Sequence, residues 1–266
     1  MPMKLVLRAR LAETVLLTYR TPAESVAGLL PEGLELVRRG PWAFWSVACC
    51  RVEKMRPDGA PAALGVTFRH VAYRLRVQAM TASAELIDGL CFTHSGVDAP
   101  LPALFDALGN RLTDLRLHRA KITMDAGDDA VRVEVAPASC GSCDAMALEV
   151  AHCPGVRRPG SCFPTVEDAR AFGRYPPRAL SIHASGADAG GSLHVMRVER
   201  VDSSWIETPV AVRSARLGYF DAIGQRDQAE LEWAVRLRPM TYRWVFGERH
   251  TLLRRPDAAR RWSGVA

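Results

Sequence analysis

The sequence contains very little lysine: Lys4, Lys54 and Lys121 stand against thirty-two arginines. Any reaction that uses a lysine amine therefore has few candidate residues. The chain also lacks an apolar run near the ~20 residues that a membrane-spanning helix needs. Residues 1–10 are charged too often for the apolar stretch of a signal peptide. We therefore expect a cytoplasmic protein without a membrane partner.

Internal repeats, low-complexity tracts and shifts in composition are absent, so a single domain over residues 1–266 is the simplest organisation. Hydrophobic residues make up 48% and charged residues 24% of the chain, which is ordinary for a globular protein with a large core. The basic cluster lies in residues 249–266, which we expect to form a frayed tail. The net charge of +6 is otherwise dispersed. Without a basic platform studded with aromatic residues, we expect no nucleic-acid partner.

A second metal-binding cysteine pair is also missing. The seven cysteines include one Cys140-x-x-Cys143 motif, and reduced thiols are the default in a cytosolic chain. Two sharper alternatives are a zinc site with His152, Cys153 or Cys162 and a redox pair. A lone CxxC is a weak zinc signal, and a redox pair would begin a helix in a βαβ unit. We expect ordinary thiols, with neither a metal nor a cofactor.

The hydrophobic pattern that is present predicts many strands and a few short helices, and hence an α+β fold with a dominant antiparallel sheet. The clearest strand covers residues 66–80, where Val71 and Tyr73 alternate with polar residues that include His70 and Arg74. On an open sheet this polar face would meet water. Inside a closed barrel it would line the lumen, where histidine and arginine suit a carboxylate ligand.

Residues that typically cap a helix amino terminus predict the start of two helices. Thr21 precedes Pro22 at the first helical position and Glu24 at the third, so a helix is expected to run to Leu30. A second short helix is expected to begin at Thr165. Turn-rich residues between the strands predict two hairpins.

The first hairpin is expected to turn at residues 56–65, where proline, aspartate and glycine cluster. The second is expected to join residues 180–184 to residues 193–201. It would bring His183 close to His194. Such a pair is more often incidental than a metal site, so we do not expect a metal there.

Residues 89–124 hold the densest chemical pattern. The apolar run Leu90 to Phe92 ends in Thr93-His94-Ser95, which is typical of a buried strand whose end presents polar groups to a cavity or to the surface. A short helix is expected near residues 104–108. Five ionisable residues follow, namely Asp114, Arg116, His118, Arg119 and Lys121. A solvated connection and a functional cluster are the alternative interpretations.

This stretch resembles the acetoacetate decarboxylase-like superfamily in the order Phe92-Thr93-His94, Val97-Asp98, a short helix, a glycine and residues 117–121. A second match is Tyr19-Arg20-Thr21 followed by Leu30-Pro31-Glu32-Gly33-Leu34-Glu35. It is similar to the amino-terminal signature of the superfamily's uncharacterised domain-of-unknown-function branch. The resemblance implies that the sheet closes into a cone-like β-barrel around an apolar pocket, with a few short helices.

The resemblance also implies a small carboxylate or keto acid as partner. Decarboxylases of the superfamily form a Schiff base through one of two adjacent lysines, and the matched positions hold Leu117 and His118. Neither can form an imine, so that mechanism is not expected. Two functions remain: a lyase-type enzyme that uses other chemistry, and a non-catalytic binder of a small apolar or acidic metabolite. The oligomeric state stays open, and a homo-oligomer is one alternative.

Six residues are candidates for the site. The expected catalytic residues are His118, Lys121 and His70, and the expected substrate-binding residues are Arg74, His94 and Arg20. Imidazoles transfer protons near neutral pH, and a guanidinium matches a carboxylate with its planar fork. Arg74 and His118 are expected to face the barrel interior. Strand alternation would place Arg119 and Lys121 on the face opposite to His118.

Overall fold

The computed structural model describes residues 5–99, 117–137, 145–153, 155, 159–174, 178–183, 191–202 and 206–253. The strands are β1 (Val6–Pro22), β2 (Glu35–Leu36), β3 (Trp42–Pro57), β4 (Val66–Met80), β5 (Leu86–Val97), β6 (His118–Ala126), β7 (Ala130–Pro137), β8 (Met146–His152), β9 (Arg178–His183), β10 (Ser192–Arg200), β11 (Ile206–Leu217), β12 (Glu230–Arg238) and β13 (Met240–Thr251). The α-helices are α1 (Val166–Gly173) and α2 (Gly218–Ala222), and short 3-10 turns cover Ala23–Ser25, Ala27–Leu29 and Ala62–Leu64.

All thirteen strands belong to one sheet in the order β12-β11-β8-β7-β6-β5-β9-β10-β13-β1-β3-β4-β2. Further pairings of β12 with β1 and of β5 with β4 close this order into rings of strands. Neighbouring strands are antiparallel, except that β5 runs parallel to both β6 and β9. The predicted α+β fold, with a mainly antiparallel sheet and few short helices, is confirmed.

Strands β1, β3 and β4 form a wall that is buried on both faces. Alternate residues of a strand point to opposite sides of a sheet. Trp45 and Tyr73 accordingly belong to one buried cluster, whereas Leu16, Phe44 and Phe68 belong to another. Two cores therefore lie back to back against the same strands.

The first of these, the tyrosine core, contains Tyr19, Trp45, Tyr73, Tyr219 and Phe220. Helix α2 delivers the last two side chains, and Phe220 meets Tyr19 edge-on with ring centroids 5.5 Å apart. The rings of Tyr73 and Tyr219 are 4.9 Å apart. Aromatic pairs of this kind stabilise a fold by roughly 0.5–1.5 kcal/mol each beyond the burial of their area.

The second, the phenylalanine core, contains Phe44, Phe163 and Phe172 on the opposite face of the wall. Helix α1 carries Phe172, whose ring centroid lies 4.5 Å from that of Phe44. The helix begins as predicted, because the Thr165 side chain accepts a hydrogen bond from the Asp168 backbone N–H at 3.0 Å.

Strand β1 is central to the sheet, since it pairs with β3, β12 and β13. Buried Glu13 on this strand accepts two hydrogen bonds of 2.7 Å from buried Arg236 on β12. The same guanidinium donates to the carbonyl oxygens of Gly127 and Asp128 in the turn between β6 and β7. The Arg236 side chain thus joins β12 to β1 through the ion pair and to the β6–β7 turn through hydrogen bonds.

The helix predicted from Thr21 to Leu30 is wrong. Strand β1 continues to Pro22, whose ψ of 125° is extended, and only two 3-10 turns follow. The Thr21 hydroxyl is buried and donates to Gln225 Oε1 beyond α2. Because this hydroxyl is engaged by a distant side chain, it does not cap a helix.

Both predicted hairpins form: β3 pairs with β4, and β9 pairs with β10. Strand β13 includes the first residues of the predicted tail, up to Thr251. Most of that tail, residues 254–266, lies outside the described residues, as do the helix expected near residues 104–108 and the Cys140-x-x-Cys143 motif.

Candidate functional site

Strand β5 is the element around which the candidate site is built. It pairs with β9 at Leu90 and, further along the same edge, with β6 at Gly96 and Val97. Strands β6 and β9 thus pair with different stretches of the same edge of β5, and the sheet is open on this edge between the two stretches. We call this opening at residues 91–95 the fork. On its other edge β5 stays paired with β4.

A β-bulge lies in the fork. Tyr73 pairs with His94 while the next residue, Arg74, pairs with Phe92, so Thr93 is the extra residue. The Thr93 hydroxyl donates to the Tyr73 carbonyl oxygen at 3.0 Å. Bulges redirect side chains and are frequent beside active sites. Here Phe92 lies on the face of Arg74, and His94 lies on the face of Tyr73.

The fork contains a cavity of about 350 Å³. Its lining includes Cys91, Phe92 and Thr93 of β5, Ser181 of β9, Met196 of β10 and Tyr219 of α2. Phe92 packs on the phenylalanine core and Tyr219 belongs to the tyrosine core, so the cavity reaches both. Burial raises the pKa of Cys91 to about 12, which keeps this thiol neutral.

Two imidazoles lie on the tyrosine-core side of the fork. The His94 ring stacks on Tyr219 with centroids 4.7 Å apart and on His118 with centroids 5.0 Å apart. His118 is exposed, whereas Tyr219 lines the cavity. The three rings therefore extend from solvent to the cavity wall. Imidazoles and a phenol in such a row can donate, accept and transfer protons.

A buried guanidinium lies on the phenylalanine-core side. Arg74 is 1% exposed and donates to the Ser46 carbonyl oxygen at 3.2 Å and to the Ser46 hydroxyl at 2.9 Å. Its Cζ lies 5.6 Å from the centroid of the Phe92 ring, which forms part of the cavity wall. A fixed positive charge thus lies directly behind that wall.

His70 stacks on the same Phe92 ring with centroids 6.4 Å apart. Burial, together with the charge of Arg74, lowers the pKa of His70 to about 3, so this imidazole is neutral at physiological pH. Its Nε2 is buried and has no hydrogen-bond partner among the described residues. Neutral His70 adds no further charge beside Arg74.

The structure brings four of the six predicted site residues to the fork. His94 and His118 lie on its tyrosine-core side, and His70 and Arg74 lie on its phenylalanine-core side. Arg74 and His118 were expected to share one interior. They lie instead on opposite faces of the sheet. Each face is covered by its own core, with His118 on the tyrosine-core side and Arg74 on the phenylalanine-core side.

The other two predicted residues lie elsewhere. Lys121 is exposed, as is Arg119, on the face of β6 opposite to His118, as strand alternation predicted. Arg20 forms ion pairs with Glu230 and, at 3.0 Å, with Glu232. The guanidinium of Arg20 is thus engaged by two carboxylates of the chain itself.

Tyr219, Ser46 and Ser181 were not predicted as site residues. Tyr219 lies in a helix of five residues, too short to show a periodic pattern, and the only local signal is an aromatic pair after Gly218. The two serines occupy ordinary strand positions. Their roles follow from pairings that no local pattern encodes.

No group of three side chains able to hold a metal ion occurs among the described residues. His183 and His194 are neighbours, as the second hairpin predicted, with ring centroids 3.9 Å apart. In the same described ranges, none of the helices is long and apolar enough to cross a membrane.

A family model, DUF2071, described as an uncharacterized conserved protein, matches residues 8–163. No curated protein matches the chain. Acetoacetate decarboxylase from Legionella pneumophila has a similar structure, with a TM-score of 0.57 and 12% identity over 95% of this chain and 88% of that one. An acetoacetate decarboxylase-like enzyme from Sphingomonas wittichii RW1 has the same TM-score and identity over 94% of this chain and 92% of that one.

The enduracididine biosynthesis enzyme MppR, complexed with the condensation product of pyruvate and imidazole 4-carboxaldehyde, is a third similar structure. It has a TM-score of 0.57 and 12% identity over 94% of this chain and 90% of that one. At such identities these likenesses concern the fold alone, and they agree with the superfamily that the sequence motifs indicated.

Proposed function

Because the chain belongs to the DUF2071 family of uncharacterized conserved proteins and has the acetoacetate decarboxylase-like fold, we propose that it binds a small keto or carboxylic acid in the fork cavity. The observation that carries the proposal is the fork itself. It holds a cavity of about 350 Å³ between a buried guanidinium and a row of stacked imidazoles. MppR is complexed with a condensation product of pyruvate, a small keto acid, which supports this class of ligand.

Arg74 is the proposed source of attraction for the acid group, acting across the Phe92 ring, because its guanidinium lies behind the cavity wall. The Arg74 side chain is 1% exposed, and a charge shielded from water exerts a stronger electrostatic attraction than the same charge at the surface. The guanidinium is held by Ser46 and stacked over Phe92, so its orientation is fixed before a ligand arrives. A preorganised group loses little conformational entropy on binding.

The proposal does not include a Schiff base. Leu117 packs against the phenylalanine core, and His118 stacks on His94. Lys54 and Lys121 are both exposed. An imine in the cavity needs an amine that reaches the cavity, and neither of these side chains lies on its wall.

A second candidate function is lyase-type catalysis by proton transfer, which the stack of His118, His94 and Tyr219 favours. Exchange of the methyl protons of pyruvate with deuterium in D₂O separates the two functions. An enzyme of this kind would catalyse the exchange, and His94→Phe, which keeps an aromatic ring in the stack, would slow it about 100-fold or more. A binder would catalyse no exchange.

The binding proposal predicts that Arg74→Met weakens binding of pyruvate and acetoacetate by about 10-fold or more in isothermal titration calorimetry. Methionine fills much of the buried space but removes the charge behind Phe92, so both acids lose their electrostatic attraction to this side of the cavity. Arg213→Ala, at an exposed position on β11, is the control and should bind both acids like the wild type.

Thermal melts show whether Arg74→Met remains folded. A folded Arg74→Met protein with unchanged affinity for both acids would contradict the role of Arg74. A wild-type protein that binds neither acid would overturn the proposed function itself.

A further inference from the structure

The fork cavity is larger than an acid of three or four carbon atoms requires. Its volume is about 350 Å³, within the ~300–1,000 Å³ typical of sites for drug-sized ligands. Pyruvate has six non-hydrogen atoms and would leave much of the cavity wall against water.

Most of that wall is hydrocarbon. Leu29 and Pro31 come from the segment before β2, Leu180 and Ile182 come from β9, and Met196 comes from β10. The Cys91 thiol is neutral and adds to the apolar surface. A wall of this composition favours a ligand that brings apolar area of its own, because a bare acid gains little from contact with it.

Ser181 is the polar exception on β9. Its hydroxyl oxygen is buried and has no hydrogen-bond partner in the described ranges of the chain. Buried hydroxyl groups are usually satisfied, and an unsatisfied one is unfavourable. The Thr93 hydroxyl, on the same cavity wall, already donates to the Tyr73 carbonyl oxygen. Ser181 therefore offers a buried hydroxyl on this wall that a ligand oxygen can satisfy.

On the basis of the proposed function, we infer that the ligand is a keto or hydroxy acid that carries an aromatic or branched aliphatic side chain. The side chain packs among Leu29, Leu180, Ile182 and Met196, and the Ser181 hydroxyl donates to the keto or hydroxyl oxygen. Ser181 and the apolar wall then determine specificity, while the acid group is recognised at the Arg74 side of the fork.

The test compares phenylpyruvate with pyruvate in isothermal titration calorimetry on the full chain. The wild type should bind phenylpyruvate at least about 10-fold more tightly, because the ring buries several carbon atoms that pyruvate lacks. Ile182→Trp, which narrows the cavity, should weaken phenylpyruvate more than pyruvate. Equal wild-type affinities would overturn the inference and leave the proposed function standing, whereas binding of neither acid would overturn both.

Ser181→Ala tests the hydroxyl separately. The variant should bind phenylpyruvate about 3- to 10-fold more weakly than the wild type. It should melt at the same or a slightly higher temperature, since no described residue loses a hydrogen bond and an unsatisfied buried hydroxyl is removed. Ser214→Ala, at an exposed position on β11, is the matched control and should bind normally. Wild-type affinity in Ser181→Ala would overturn the assigned role of Ser181.

Discussion

His70 and Arg74 show how burial determines the chemistry of a side chain. Both residues stand on the polar face of a strand with clear alternation, and the sequence predicted the face correctly. The sequence could not show that a second core covers this face. Burial beside Arg74 lowers the pKa of His70 and makes it a neutral imidazole, which argues against proton transfer by this predicted catalytic residue at neutral pH.

The lowered pKa of His70 predicts a loss of stability in acid. Its folded-state pKa of about 3 lies below the unfolded value of 6.5, so the unfolded chain takes up the proton more readily. This contribution to stability is complete above pH 6.5 and is lost as the pH falls towards 3, by up to about 1.4 kcal/mol per pH unit. Urea unfolding of His70→Phe between pH 7 and pH 4 should show a shallower pH dependence than the wild type.

His152→Gln is the control for that experiment, because His152 is exposed at the end of β8. It should unfold with the pH dependence of the wild type. Identical pH dependences for His70→Phe and the wild type would contradict the assignment of acid sensitivity to His70.

Arg20 illustrates what local sequence leaves out at the residue scale. It was predicted to bind substrate because it lies in a motif shared with the superfamily. Its carboxylate partners Glu230 and Glu232 lie about 210 residues further along the chain. Nothing in the neighbourhood of Arg20 in the sequence indicates these ion pairs.

At the scale of elements, the sequence predicted β5 as a strand but did not predict the bulge and the opening that form the candidate site. The apolar run and the polar residues after it indicated a strand that ends at a cavity or at the surface. The bulge at Thr93 and the fork depend on β4, β6 and β9 together. Pairing between distant segments, rather than periodicity, therefore creates the cavity.

Gly89 controls the closed end of the fork. A methyl group added there would lie 2.8 Å from Leu180 Cγ and 2.9 Å from the Arg178 carbonyl oxygen, so β5 and β9 would have to separate. We predict that Gly89→Ala destabilises the fold by about 1–3 kcal/mol in urea unfolding. It should also weaken binding of phenylpyruvate, because Leu180 lines the cavity.

Gly28→Ala is the matched control, since a methyl group at Gly28 meets nothing within 4 Å. This variant should keep the stability of the wild type to within about 0.5 kcal/mol. A Gly89→Ala protein as stable as Gly28→Ala would show that the two strands separate without cost.

At the scale of the whole molecule, the motifs predicted the superfamily, and the strand patterns predicted a mainly antiparallel α+β fold. Periodicity alone could not predict that the sheet closes into rings, because alternation looks the same on an open sheet and on a closed one. It also could not predict that β1, β3 and β4 carry a core on each face. The long buried runs in β1 and β3 were the available signal.

The distribution of lysines in the molecule predicts that borohydride will not trap a keto acid on the protein. The two described lysines, Lys54 and Lys121, are exposed and lie off the fork cavity. Mass spectrometry after treatment with acetoacetate and sodium borohydride should therefore give the mass of the unmodified chain. A stoichiometric adduct on Lys121 would mean that β6 moves to bring its outer face to the ligand.

The position of β1 in the sheet has a consequence for biosynthesis. A ribosome makes β3 soon after β1, so these two strands can pair at once, whereas β12 and β13 are made much later. The ion pair between Glu13 and Arg236 spans 223 residues. Contacts of such long range slow folding. The edge of β1 that pairs with β12 and β13 therefore stays without these partners while the intervening chain is made, and an unpaired strand edge favours aggregation in that interval.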